Sequence, residues 1–364
     1  MQSTGRWFTA GVFGLAAIAV LVALVVVLPA AAKQPGVNGP IVFAKFLPGR
    51  SSGDTPLFTV NSDGSGQRRL VAASSCCAAW SPDGGKIAVS SLSPDGRVTT
   101  ALVNADGSNL DVKTIPDPSL NLECDAWSPD GGRMLCAGWD DKHKDRPRGL
   151  FTVRVSDWGD LKQLMTNPDG AQGMNDDPAD YSPDGKRILF IREIGQHDDA
   201  LYSASTNGSS LKPIPTGSLN PDCCSASWSP DGKWILFSVL GSIQAVHPDG
   251  SGLHSIALKA RCVNPSGPAV LAGSRVYRLH CLKGRFAMNP NVLYWVAFLP
   301  SWSPDGKKMV FSLAVQTSAT RGTQGVYTAN ANGTDLKPIT TPTAVKKWRS
   351  LDFPDSTDWG PLKR

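Results

Sequence analysis

Five aspartates, Asp83, Asp130, Asp184, Asp231 and Asp305, each precede a glycine in the same pentapeptide, an aromatic residue followed by Ser-Pro-Asp-Gly. Carboxylates repeated at one position could ring a central channel and hold a cation. The competing chemistry is local. Asp in such a turn hydrogen-bonds its own backbone, and Ser, Pro and Gly at the first, second and fourth places are the residues a type I turn prefers. The local reading is preferred, and no metal is expected. The aromatic partners, Trp80, Trp127, Tyr181, Trp228, Trp302 and the relic Trp359, could stack a ligand. One large ring per repeat at a fixed place is instead expected to pack repeat against repeat.

Other candidate chemistry is sparse. His247 and His254 flank a Pro-Asp-Gly turn and could face each other, but two histidines without a third ligand hold metal poorly. The turns Asn61-Ser-Asp-Gly64, Asn104-Ala-Asp-Gly107 and Asn332-Gly333 resemble fragments of calcium loops without the spaced carboxylates and distal Glu. They read as hairpin turns. The charged run from Asp140 to Arg146 reads as a solvated loop. Eight cysteines lack the Cys-x-x-Cys spacing of zinc sites. Cys124 and Cys136 lie about the turn from Ser128 to Arg133 and could form a cross-strand disulfide, unless a bulge there spoils the register. Cys262 and Cys281 could close a second loop. The adjacent pairs Cys76-Cys77 and Cys223-Cys224 both precede a Trp strand, at the same end of different repeats.

Periodicity supplies the elements that position these residues. Successive signature aromatics lie 47, 54, 47, 74 and 57 residues apart, near the spacing of four-stranded propeller blades with variable loops. Apolar runs follow each turn (Ile87–Val89, Met134–Cys136, Ile188–Phe190, Ile235–Phe237, Met309–Phe311) without alternation, as expected of strands buried on both faces. A third strand, a polar turn and a fourth strand complete each blade. Residues 41 to 71 have strands two to four but no Trp-bearing first strand, which Ser350 to Trp359 can supply from the C-terminus. The expectation is an all-β propeller of six blades over 41–364, closed by that pairing. The long interval before Trp302 carries an inserted excursion, Lys259 to Phe298, with strands over Ser274–Cys281 and Val292–Phe298; a seventh blade is the alternative.

Only 18% of residues are charged, and the net charge of +5 forms no basic run interleaved with aromatics, so nucleic acid is set aside. Trp7 to Leu28 is uncharged and 22 residues long, enough for an apolar helix to span a bilayer, and Ala30-x-Ala32 follows as a signal-peptidase site. Residues 1–32 are therefore an uncleaved anchor, the preferred reading, or a signal peptide. Residues 33–40 form a linker, and the remainder is extracytoplasmic in either case.

The fivefold Trp/Tyr-Ser-Pro-Asp-Gly turn with its apolar strand resembles the TolB-like, WD40-like propeller repeat family, which is also found in prolyl oligopeptidase-type enzymes. The resemblance covers most of residues 41–364. It implies a propeller that serves as scaffold, partner platform or gate. The α/β domain of TolB-like proteins does not fit between Lys33 and Pro40, and no hydrolase domain is expected after the last blade. A non-enzymatic platform for a protein, peptide or envelope polymer is expected, without cofactor. The alternative is a hydrolase or lyase with its site in the channel. The specific element is expected in the excursion, where Arg261, Arg275, Arg278, Lys283, Arg285, Tyr294 and Trp295 suit an anionic partner, unless the excursion simply caps the ring.

Overall fold

Each signature folds one local device. In Ser81-Pro-Asp-Gly84, the Gly84 N–H donates to the Ser81 carbonyl at 2.9 Å and Gly84 takes φ +69°, a conformation that admits Gly at no steric cost. The chain reverses, and Trp80 pairs antiparallel with Ile87. The same turn recurs at Gly131, Gly185, Gly232 and Gly306, with φ of 69° to 71°.

These turns organise a computed structural model that describes residues 36–44, 56–71, 78–143, 146, 148–170, 174–194, 198–222, 226–259, 269–272, 275–282, 285–289, 294–316, 322–345 and 357–363. The apolar span 7–28, the pairs Cys76-Cys77 and Cys223-Cys224, and Arg261, Cys262 and Lys283 lie outside the described residues.

Six four-stranded antiparallel sheets form the blades, each running from inner to outer strand. Blade one is Thr357–Pro361, Asn38–Ala44, Leu57–Val60 and Arg68–Val71. Blade two is Ala79–Trp80, Lys86–Leu92, Val98–Asn104 and Asp111–Val112. Blade three is Asn121–Trp127, Arg133–Trp139, Gly149–Arg154 and Lys162–Thr166. Blade four is Asp176–Tyr181, Arg187–Ile194, Asp198–Ser205 and Lys212–Pro213. Blade five is Ser227–Trp228, Ile235–Val239, Ser242–Val246 and His254–Ser255. Blade six is Tyr294–Trp302, Lys308–Gln316, Gly322–Asn330 and Lys337–Pro338, with Thr343–Val345 also paired to its third strand. No α-helix occurs among the described residues.

The second strands are the core. Ile87, Met134, Ile188, Phe190, Ile235, Phe237, Met309 and Phe311 are fully buried, and each such side chain contributes about 1.5–3 kcal/mol over its exposed state. The ring closes through the C-terminal strand: Ile41 pairs with Trp359, Val42 with Asp358 and Phe43 with Thr357. Each inner strand remains the edge of its own sheet, but the closed ring turns these short edges into the channel, where they do not template association.

The excursion folds as a separate antiparallel sheet, Leu258–Lys259, Ala269–Ala272, Arg275–Leu282 and Arg285–Asn289. It is not a seventh blade in the ring, because blades five and six pack directly. Leu236, Ile243 and Ala245 share one core cluster with Ala297, Trp302 and Phe311, and the Ala297 N–H donates to the Gly241 carbonyl at 2.9 Å. Tyr294–Phe298, the end of the expected excursion, belongs to blade six's inner strand.

Strand alternation gives the ring two unlike faces. Turns joining strands one to two and three to four lie at one end, the signature face. Second-to-third hairpins and the crossovers between blades lie at the other, and the excursion is inserted in one of those crossovers.

Candidate functional site

The inner strands line a funnel at the signature face, bounded by Trp80, Trp127, Tyr181, Trp228, Trp302 and Trp359 with their neighbouring prolines, and enclosing about 1130 Å³ with the solvent in its mouth. The aromatic rings are buried, none more than 9% exposed. They sit at blade seams: Trp127 Nε1 donates to the Ala79 carbonyl of blade two, and a Cβ on Gly360 of blade one would stand 2.4 Å from the Trp80 ring.

The signature aspartates turn inward on their own loops. Asp130 Oδ1 accepts from Ser128 Oγ at 2.6 Å and from the Gly132 N–H at 2.9 Å. Asp83, Asp184, Asp231 and Asp305 repeat this with Ser81, Ser182, Ser229 and Ser303. The Ser128 hydroxyl, followed by the opposing effect of burial and then the Gly132 N–H, holds Asp130 below the ordinary carboxylate range. At the other four, burial acts upward and is outweighed by the serine hydroxyl and the backbone N–H.

A depressed folded-state pKa contributes stability that is present above the unfolded value, near 3.8, and is lost as pH falls through the folded one. The melting temperature should therefore hold down to about pH 4 and fall below it. Ser128→Ala should shallow that acid limb; a limb of unchanged slope counts against these turns as its source.

The carboxylates that do face the funnel are Asp125, Asp180 and Asp358. Asp358 joins three blades: Oδ2 accepts from the Trp80 N–H of blade two at 2.8 Å, and Oδ1 from Ser301 Oγ of blade six at 2.7 Å and from its own Trp359 N–H. Asp180 likewise holds its own Tyr181 N–H and the Trp228 N–H of blade five, both at 2.8 Å. These are charge-assisted staples between blades. Sequence reasoning missed them, although Asp directly before the aromatic in Asp180-Tyr181 and Asp358-Trp359 was a readable signal. Asp125 is the bulged residue of blade three's inner strand.

That bulge decides the cysteines. Trp127 pairs with Met134 and Ala126 with Leu135, so an unbroken ladder would set Asp125 opposite Cys136. Skipping Asp125 brings Cys124 opposite Cys136, with the sulfurs 2.04 Å apart, at bonding distance. The bulge expected to spoil this pairing creates it. Cys281 lies in the excursion sheet opposite Phe286.

Arg275, Arg278 and Arg285 lie on excursion strands, and Tyr294 and Trp295 begin blade six's inner strand. Only the backbone is described at these five positions. The structure thus places the first three on one sheet at the face opposite the signatures, with the funnel aromatics at the other end of the ring.

His247 and His254 both meet Trp234, with ring centroids 3.6 and 5.3 Å away, and each Nδ1 bonds a backbone carbonyl, Lys233 and Gly252 respectively. The described residues of the charged run, Asp140–His143 and Arg146, are held by side-chain bonds rather than simply solvated. The Asp140 side chain is 1% exposed, accepts from the Lys142 and His143 N–H groups and lies 2.9 Å from His143 Nδ1, while Arg146 reaches Asp117. No group of three metal-ligating side chains occurs among the described residues. One stretch has nucleophile-elbow spacing, Gly49-Arg50-Ser51-Ser52-Gly53. It lies outside the described residues.

Six inner strands converging on a funnel, each backed by three further strands of its sheet, define a six-bladed β-propeller. The solved structures it is similar to include TolB from Acinetobacter baumannii, at 17% identity and a TM-score of 0.56, over 89% of this chain and 67% of that one. A putative TolB from Agrobacterium tumefaciens aligns at 15% identity and a TM-score of 0.53, over 86% and 91%. A puromycin hydrolase aligns at 15% and 0.53, over 86% of this chain and 55% of that one. At these identities the likeness is one of fold. No family model matches the chain, and no curated protein does.

Proposed function

We propose that the protein is a non-enzymatic, TolB-like propeller platform outside the cytoplasm. It takes an anionic protein, peptide or envelope polymer on the face opposite the signature turns. The observation that carries this reading is the excursion: a folded four-stranded sheet inserted in one crossover, presented on that face by a closed ring. Binding residues concentrate on such insertions because a rigid scaffold holds them. The funnel carboxylates Asp180 and Asp358 support the non-enzymatic part, since each already holds backbone N–H groups of its own and the next blade.

The test is crosslinking in the native envelope with the full chain and with the Arg275→Ser, Arg278→Ser, Arg285→Ser triple variant. A partner captured by the first and lost by the second is the expected result. Equal capture by both refutes the assignment to the excursion. Metal-dependent hydrolysis or lyase activity in the purified protein moves the site to the channel.

An oxidising compartment also forms the Cys124–Cys136 bond. Loss of two hydrogens in the intact mass is expected, and Cys124→Ser with Cys136→Ser should cost about 2–3 kcal/mol in urea unfolding. Free thiols at both positions in protein taken directly from the envelope contradict the location.

A further inference from the structure

The hairpin between the second and third strands of blade five has a two-residue loop, with Val239 paired to Ser242 and Leu240 and Gly241 between them. Both loop residues take positive φ, 46° at Leu240 and 77° at Gly241. Such loops favour Asn, Asp or Gly at the first position, because the Cβ of other residues crowds the backbone in this conformation. Leu240 recovers nothing from packing, since it is 78% exposed. Backbone conformation and solvation both ask for a polar residue here, so the leucine is accounted for by a contact outside the chain.

The surroundings are acidic. The Leu240 N–H donates to Asp222 Oδ1, in the crossover from blade four, at 3.2 Å. Across that seam, the second-to-third hairpin of blade four pairs Glu193 with Asp199 and Ile194 with Asp198. Ile194 is a second apolar residue at this surface, 39% exposed. Burial first, and then Glu193, Asp222 and Asp198, push Asp199 above the ordinary carboxylate range. Like charges therefore repel one another across the seam, while Arg192, next to Glu193 in sequence, is committed to Asp176. Cations brought by a partner relieve that repulsion, and complementary charge at an interface selects the partner that carries it.

We propose that Leu240 and Ile194, with Glu193, Asp198, Asp199 and Asp222, form a docking surface for a basic amphipathic segment of a partner protein. The apolar stripe of the segment covers the two side chains, and its Lys or Arg residues meet the carboxylates. The surface lies on the same face as the excursion but uses none of its residues. It is a second contact, opposite in charge to the excursion's, and does not depend on the platform reading.

The test titrates the full chain with a synthetic amphipathic helix of leucine and lysine that carries photo-reactive leucine, and maps the adducts to residues. A leucine–glutamate helix of equal length is the control. Adducts are expected on the hairpins at 194–198 and 239–242 with the basic helix alone. Half-saturation should weaken about tenfold in Leu240→Asn, and again in Asp198→Asn with Asp199→Asn. Thermal unfolding separates docking from folding: Leu240→Asn should melt no lower than the parent, because Asn tolerates this backbone conformation. Adducts spread over other acidic surfaces and unchanged in both variants overturn the proposal, as does a Leu240→Asn chain that melts below the parent. A parent dimer that Leu240→Asn dissociates also overturns it, since the occupant is then a second copy. None of these outcomes alters capture through the excursion arginines.

Discussion

A chain ended at Ser356 is expected not to fold to a stable monomer. The truncation removes Thr357–Pro361, the inner strand of blade one, and with it the ladder to Ile41, Val42 and Phe43. Trp359, 4% exposed in a cluster with Ile41, Phe43 and Val310, is lost from the core. Asp358 leaves the Trp80 N–H and Ser301 Oγ without their acceptor, opening both seams of the blade. Loss of one core Trp alone costs about 3–5 kcal/mol, and the net stability of a domain is about 5–15 kcal/mol. Circular dichroism and gel filtration should show an unfolded or associating chain, and a synthetic peptide of residues 350–364 should restore the monomer. A truncated chain with native melting and a monomeric profile would mean that the ring is not closed by this strand.

Arg192→Met is expected to cost about 3–5 kcal/mol, because it strips a buried carboxylate of its counter-charge. Asp176 and Arg192 form a two-pronged pair, Oδ1 to Nε and Oδ2 to Nη2, both at 2.7 Å, with 0% and 7% of the side chains exposed. The guanidinium lies against the stacked rings of Phe190 and Tyr202 and reaches the Thr166 carbonyl of blade three. Burial pushes the Asp176 carboxyl above its ordinary value, against the pull of Arg192. Without Arg192 that upward push loses its main opponent, and only the Asn167 hydrogen bond still pulls downward. A raised folded-state pKa contributes stability present below the unfolded value, near 3.8, and lost as pH rises through the folded one. The variant should therefore be relatively stronger in acid and weaken towards neutral pH, and adding Asp176→Leu should recover most of the loss. Urea midpoints from pH 4 to 7 decide it: a pH-independent deficit, or no recovery in the double variant, removes the buried charge as the cause.

The blade repeat was legible because each blade needs the same reversal at the same place. Ser, Pro, Asp and Gly have few substitutes in that turn, and strands buried on both sides must be apolar throughout. Ring closure was legible from a strand missing at one end and surplus at the other. What escaped depends on three-dimensional register. The bulge at Asp125 reverses the argument made from Cys124 and Cys136, since one skipped residue moves every later pair. Asp176 and Arg192 are 16 residues apart and meet only through cross-strand pairing. Trp234 between the two histidines was invisible for the same reason: it belongs to the preceding hairpin, and packing rather than spacing brings it there. The excursion was legible as an interruption of the period, but its fold into a full sheet was not, because one more antiparallel meander carries no signature turn.

The most direct measurement is urea unfolding of a chain from which residues 260–292 are excised and replaced by a short Gly-Ser linker, retaining buried Leu258 and blade six's inner strand. If blades five and six meet directly and the excursion is an insertion presented to a partner, the excised chain unfolds in one cooperative transition. Its midpoint lies close to the parent's, its near-ultraviolet tryptophan spectrum is unchanged, and it captures no partner. A chain that loses cooperative unfolding on excision makes the excursion part of the ring and contradicts the six-bladed platform.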